Sequence, residues 1–348
     1  MGRSTKRPDE LVAKKLFLVT GGSGFLGRRI CALLLDQGYS VRSLARNYHK
    51  DMDAIGVEQC IGSITELSAL KKAAKDCQAI IHTAALAGIW GQPSVYEEIN
   101  VKGTENVVKA CKEEGVKYLI YTSSPSVVFA GEDQIDIDES TDYPENYLCD
   151  YSRTKALAEN LVLKSNSDQL KTISLRPHLI WGVGDNHLVP RLLESSEKGK
   201  LKIIGLGNNK VDMVHVDNAA WAHIDAYNAL IKGVGEGTSY FITNDEPVEM
   251  WAWLNDLLSL LNKKNITKKV PVSFAYKLSQ VFELFYKCLA IKKDPPLTRF
   301  VVRQLSTHHT YDISKAKSDL NYKIRTSMAE GLEKLVAHLK EKKDCKGL

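Results

Sequence analysis

The stretch "KLFLVTGGSGFLGRRICALLLDQG", residues 15–38, constrains the fold more than any other part of the chain. A short apolar run gives way to Gly21, Gly24 and Gly27, then to Leu26, Ile30, Leu33 and Leu34 at helical spacing. The first run has the length of a buried strand, and Gly38 ends the helix. With "YSVRSLA" (39–45) as a second strand, this is a βαβ unit. The alternation continues through "AIIHTAA" (79–85), a helix over roughly 94–114, "KYLIYTSS" (117–124), a helix carrying Tyr151, and "TISLRP" (172–177). Strands alternating with helices predict an α/β fold with a doubly wound parallel sheet.

After about residue 186 the alternation loosens. "VDMVHVDNAAWAHIDAYNALI" reads as a strand leading into a helix, and "SYFITND" as another strand. The expected organisation is a basic, flexible segment over 1–14, a Rossmann domain over 15–186, and a smaller α/β substrate-binding region over 187–348. Parts of that region, about 211–243, are expected to return to the first sheet.

A glycine triplet between a strand and a helix lets the backbone turn sharply and approach a pyrophosphate, which the helix N-terminus then attracts. A dinucleotide is the implied ligand, with Ser23, Phe25 and Leu26 in the same turn. NAD sites usually carry an acid at the end of the second strand. Here that position is Ala45, followed by Arg46. An arginine pairs with a 2′-phosphate where an acid would repel it, so NADPH is expected rather than NAD. Arg42 and Arg28 are weaker candidates for the same phosphate.

Tyr151 and Lys155 lie four apart on one helix and share a face. A lysine ammonium near a phenol is expected to lower the tyrosine pKa, and the tyrosine could then move a proton to or from a carbonyl oxygen. Ser123 and Ser124 end a strand, where ligands sit in such sheets. One of them could hold the same oxygen.

Other classes of function are disfavoured by composition. The net charge of +5 is dispersed: basic residues gather at Lys6–Lys15, Lys263–Lys269 and Lys340–Lys346, with no aromatic-laced stripe for nucleic acid. Seven scattered cysteines contain no C-x-x-C pair, and the nine histidines lack zinc-ligand spacing, so no metal is expected. The adjacent His308 and His309 read as structural. No signal peptide, myristoylation pattern or membrane span is recognisable, which makes the cytoplasm the default compartment.

The glycine motif, Ser124 and Tyr151-x-x-x-Lys155, in that order, resemble the extended short-chain dehydrogenases/reductases. By that resemblance Ser124, Tyr151 and Lys155 are catalytic, and Ile64, Ala84 of "HTAA" and Pro177 line the cofactor. Asn100 of "NVKGT" supports the lysine. "INVKGTENVVKAC", "VHVDNAAWAHIDAYNAL" and "YFITNDEP" resemble the 3β-hydroxysteroid dehydrogenase-like branch. "SLRPHLIWGVGDNHLVPRL" and "PPLTRFVVRQL" resemble its bacterial reductases of 2-alkyl-3-oxoalkanoates, which act in long-chain olefin biosynthesis with NADPH. Two departures stand out. Ser63 replaces an aspartate that usually faces the adenine. Pro125 and Ser126 replace the acid pair of sugar-nucleotide dehydratases, which argues against dehydration.

The resemblance implies a lipid-like substrate, with other enzymes of olefin synthesis as partners and a homodimer as a candidate assembly. His178, Asn186 and Arg191 are the candidate substrate residues, with Asp185 and His187 beside them. Arg191 could meet a carboxylate or simply be a surface arginine. Over 272–293, Phe274, Leu278, Val281, Phe282, Phe285 and Leu289 recur at helical spacing, with Lys277, Glu283, Lys287, Lys292 and Lys293 among or beside them. That stripe could pack on the core, cover a substrate tunnel or rest on a membrane surface. The rival functions are a sterol 3β-hydroxyl dehydrogenase, a nucleotide-sugar epimerase or reductase, and a cofactor sensor without turnover.

Overall fold

The computed structural model describes residues 15–186, 188–291 and 293–344. The basic segment 1–14, His187, Lys292 and Cys345 lie outside the described residues. Seven strands form one sheet: β1 (Leu16–Thr20), β2 (Ser40–Ala45), β3 (Glu58–Ile61), β4 (Ala79–His82), β5 (Tyr118–Thr122), β6 (Lys171–Pro177) and β7 (Thr238–Ile242). Their order is β7-β6-β5-β4-β1-β2-β3, and every pairing is parallel. This is the doubly wound sheet expected from the alternation.

Period-two alternation sends neighbours to opposite faces. Phe17 and Val19 join one core layer, Leu18 the other, and all three are fully buried. Both faces are covered by helices, which is why these strands read as continuous apolar runs. The helices that matter below are α1 (Phe25–Asp36), α2 (Gly103–Glu113), α3 (Asp150–Lys164), α4 (Val216–Leu230) and α5 (Val272–Cys288). The helix expected over 94–114 is interrupted. Its middle, Glu97–Lys102, is a π-helical turn that leads into α2 and carries the buried Asn100.

β7 pairs with β6 at the edge of the sheet. α4 packs on α1, and the Tyr227 ring meets Phe17 at 4.7 Å and Tyr118 at 5.5 Å, both edge-on. The rest of the second half builds a third apolar core around Trp181, Val211, Trp251, Trp253, Leu254 and Leu257. A four-stranded sheet of Val248–Glu249, Lys210–Val211, His309–Tyr311 and Gln134–Ile137 borders it.

Candidate active site

The turn between β1 and α1 is built so that side chains cannot enter it. A Cβ on Gly27 would lie 2.2 Å from the Gly21 carbonyl oxygen, and one on Gly22 would lie 2.5 Å from Ser43 Oγ. Gly21 has φ +71° and its Cα side abuts the Ala84 backbone at the end of β4. Gly24 N donates to the Gly21 carbonyl at 2.9 Å, closing the turn. α1 then starts without a side-chain cap and without an acid in its first turn. Its N-terminal N–H groups therefore face outward with their positive field uncancelled. Gly22 was not singled out by spacing. Its need for space comes from Ser43 and Cys31, which are distant in sequence.

The three arginines near this turn differ. Arg42 is committed to structure: it donates to Glu58 and to the carbonyls of Ala73 and Lys75, each at 2.8 Å. Arg28 pairs with Asp51. Arg46 is exposed directly after β2 and has no ion-pair partner among the described residues. Ser63, in the position of the missing aspartate, bonds the Thr65 hydroxyl at 2.8 Å and so caps its own turn. Ile64 is buried against Gly103, and its carbonyl accepts from Asn106 at 3.1 Å.

α3 brings Tyr151, Lys155 and Glu159 to one inward face, four residues apart. Lys155 is 2% exposed; its Nζ donates to the Thr122 carbonyl at 2.5 Å and sits 4.1 Å over the Tyr121 ring. Burial pulls its pKa down to about 7, with Glu159 pulling the other way. Tyr151 is half-buried, and burial pushes its phenol up to about 12; Ser124 beside it brings it partly back. The expected lowering by Lys155 is not seen: burial dominates at the phenol, and the ammonium is engaged by the Thr122 carbonyl and the Tyr121 ring.

The serines at the end of β5 separate. Ser123 is buried beside Glu159. Ser124 Oγ accepts from Ser126 N at 3.2 Å and Ser126 Oγ at 3.0 Å, capping the short helix Pro125–Val128 next to Tyr151. Pro125 and Ser126 thus serve to hold Ser124.

Two polar groups behind this site escaped the sequence reading. Glu159, fully buried, accepts from Arg176 Nε (3.1 Å to each oxygen) and Nη2 (2.7 Å), from Ser174 (2.8 Å) and from Tyr143 (2.7 Å). That set holds its carboxyl below the usual range despite burial, which opposes it most strongly. Its spacing four residues after Lys155 was the available signal. His82 bridges Thr20 at 2.7 Å and Thr104 at 3.0 Å, and Thr104 donates to the Asn100 carbonyl at 2.6 Å. Burial, then Lys155, lowers the His82 pKa to about 3, so it is a neutral strut. Asn100 accepts from Leu86 N at 2.7 Å and donates to Thr154 Oγ1 at 3.1 Å. It fixes the loop after β4 and the residue before Lys155, without a hydrogen bond to the lysine itself.

Pro177 ends β6. The candidate substrate residues have other partners. His178 is buried, bonds the Asp212 carbonyl through Nδ1 at 2.5 Å, and sits between His309 and Tyr311. Asn186 is exposed. Arg191 is exposed and pairs with Asp294 at 3.0 Å. None of the three shares a hydrogen bond or ring contact with Ser124, Tyr151 or Lys155 among the described residues. No described helix is long and apolar enough to cross a membrane, and no described His, Cys, Asp and Glu side chains group as a metal site.

Comparison with known proteins places this arrangement. The chain is 42% identical over 341 residues to a 2-alkyl-3-oxoalkanoate reductase of Shewanella oneidensis, covering 95% of this chain and 88% of that one. It is 37% identical over 351 residues to 3beta-hydroxysteroid-dehydrogenase/decarboxylase isoform 1 of Arabidopsis thaliana, covering 93% of this chain and 80% of the relative. The crystal structure of gox2253 superposes with a TM-score of 0.76 at 24% identity, covering 94% of this chain and 99% of that one; this likeness concerns the fold. The model of the 3-beta hydroxysteroid dehydrogenase/isomerase family matches residues 18–275, and the chain belongs to that family.

Proposed function

We propose that the protein is an NADPH-dependent oxidoreductase that reduces the 3-keto group of a 2-alkyl-3-oxoalkanoic acid to the 2-alkyl-3-hydroxy acid. The observation that carries this reading is the convergence of Ser124, Tyr151 and the buried Lys155 at the carboxyl end of β5, two strands from the glycine turn. The turn fits a dinucleotide: side chains are excluded from it, and the N–H groups of α1 are free for a pyrophosphate. The exposed Arg46 suits a 2′-phosphate, and Ala84 and Pro177, past the end of β4 and at the end of β6 on either side of β5, suit the nicotinamide side. When bound, the nicotinamide supplies hydride to the ketone carbon.

The chain's own groups handle the oxygen and its proton. Ser124 orients the ketone oxygen through its hydroxyl, and Tyr151 donates the proton to that oxygen as charge develops on it. Burial pushes the phenol pKa up, so Tyr151 stays protonated near neutral pH and has a proton to give. Glu159 and the Thr122 carbonyl hold Lys155 on this face of α3. The Shewanella relative supplies the substrate class. The Arabidopsis relative supports a second reading, oxidation of a sterol 3β-hydroxyl, on the same machinery.

The test is NADPH consumption with a synthetic 2-alkyl-3-oxo fatty acid, with oxidation of the stable 2-alkyl-3-hydroxy acid run in reverse. A 3β-hydroxysteroid with NADP⁺ or NAD⁺ runs in parallel. Turnover of the fatty pair alone supports the first reading, and turnover of the steroid alone replaces it with the second. Arg46→Ala should weaken NADPH roughly ten- to a hundredfold while sparing NADH. An unchanged preference would remove Arg46 from the site.

A further inference from the structure

Seven described residues other than glycine have a positive φ, and five of them are Asp or Asn, whose short polar side chains tolerate that region. Ala290 takes it one residue past the Leu289 cap of α5, where helices commonly finish left-handed. Leu179, at φ +43°, is the exception. It follows no helix; it stands two residues past Pro177, the end of β6. A branched side chain in this region strains the backbone, and such strain persists only where the surroundings over-determine it. Here they do. On one side His178 N donates to the Ile242 carbonyl at 3.2 Å, and His178 Nδ1 bonds the Asp212 carbonyl at 2.5 Å. On the other, Ile180 and Trp181 pair with Val214 and His215, and the fully buried Trp181 ring lies edge-on to Trp253 at 4.9 Å.

The path of the chain accounts for the conformation but not for the residue. Glycine or asparagine would follow the same path with less strain. What leucine adds is an aliphatic side chain, and its place gives that side chain a use. The register that pairs Thr122 with Leu175 brings Ser124 level with Pro177. Leu179 therefore lies just beyond the level of Ser124, at the end of the sheet where ligands sit in such folds. Its side chain packs on the third apolar core but remains partly open. It joins the polar ends of β5 and β6 to the apolar interior of the second half.

We propose that Leu179 is a specificity-determining residue, the aliphatic wall that a hydrocarbon chain of the substrate meets as it leaves the reacting carbon. An aliphatic wall at this point offers no hydrogen bond to a hydroxylated sugar and suits an alkyl chain. Identifying that chain as a tail of the 2-alkyl-3-oxo acid rests on the function proposed above; the role of the wall does not.

The test follows NADP⁺-dependent oxidation of two 2-alkyl-3-hydroxy acids, one with long tails and one with short tails, by the wild type, Leu179→Asn and Leu179→Met. Asparagine relieves the backbone and puts an amide in place of the wall, whereas methionine keeps an apolar wall of similar volume. Rates are referred to folded enzyme, titrated by NADPH fluorescence. Leu179→Asn should raise KM for the long-tailed acid roughly ten- to a hundredfold with kcat retained, and leave the short-tailed acid nearly unchanged. Leu179→Met should restore most of the long-tailed KM. Equal losses for both tail lengths would overturn the proposal, as would an unchanged long-tailed KM in Leu179→Asn. A lowered melting temperature with unchanged KM would make Leu179 a packing residue and nothing more. If the wild type oxidises a 3β-hydroxysteroid and neither acid, the substrate reading fails by itself and the variants are read on the steroid. A steroid KM raised by asparagine and restored by methionine would then support the wall, and an unchanged one would remove it.

Discussion

α3 and α5 depart from the usual inside–outside rule in opposite directions. α3 turns charge inward: Lys155 and Glu159 are 2% and 0% exposed. α5 turns apolar side chains outward and buries Ser279 and Glu283. Both helices bury a glutamate against an arginine, but the pairs have lost different amounts of water. Glu159–Arg176 is sealed, whereas Arg299 of the Glu283 pair keeps 35% of its side chain exposed. Buried charge is tolerable when its hydrogen-bonding capacity is met, and α3 draws on β5, β6 and the loop holding Tyr143 to meet it. That network commits α3 to the interior. α5 asks little of its inner face, so its outer face is free to meet something else.

The strongest way to break the contrast is at the head of α3. Tyr151→Phe keeps the ring and removes the proton, so turnover should fall roughly a hundred- to ten-thousandfold while the melting temperature stays put. Equal steady-state rates would end the claim that the inward charges serve a reaction.

The two glutamates come next. Glu159→Gln strands Arg176 in the interior and should cost about 3–5 kcal/mol in urea denaturation. Glu283→Gln leaves an arginine that water still reaches, so the loss should be about 1–2 kcal/mol. Matching losses would erase the distinction between the helices. The Glu159 carboxyl is held below its unfolded value, so its contribution is present above that unfolded value and lost as pH falls through the folded one.

Lys155 sharpens the comparison through pH. Its folded pKa of about 7 lies below that of a free lysine, so between the two values the unfolded chain holds a proton that the native state has released. Stability at this site should therefore be lowest below about pH 7 and rise towards about pH 10. Lys155→Met should flatten that rise, which paired urea midpoints at the two pH values would show; parallel curves would mean that the lysine is solvated. The smallest effect belongs to α5: Phe285→Ser should change stability by no more than about 0.5 kcal/mol, since its ring touches mainly solvent. A larger loss would mean that the ring is packed.

Much of this is legible in the amino-acid sequence. The parallel sheet showed because its strands are covered on both faces, and the glycine turn because a strand precedes it and a helix follows. Ser124, Tyr151 and Lys155 were visible as spacing at strand and helix ends. Three features were not. Periodicity found the apolar stripe of α5 but could not say which face turns inward, since that depends on Arg299 arriving to pair with Glu283. The direction of the Tyr151 pKa depended on how deeply the phenol is packed, which the spacing of Tyr151 and Lys155 on a helix does not report. The π-helical turn that buries Asn100 leaves no distinct sequence pattern.

The late arrival of α4 and β7 bears on how the protein is synthesised. A ribosome that has released the chain only through β6 has made a sheet whose Phe17, Tyr39 and Tyr118 lack the Tyr227 ring that packs against them. The β6 edge also stays open until Thr238–Ile242 emerges to pair with it. The sheet of the first half is therefore completed only when residue 242 is out, so the two halves close one core together rather than in turn.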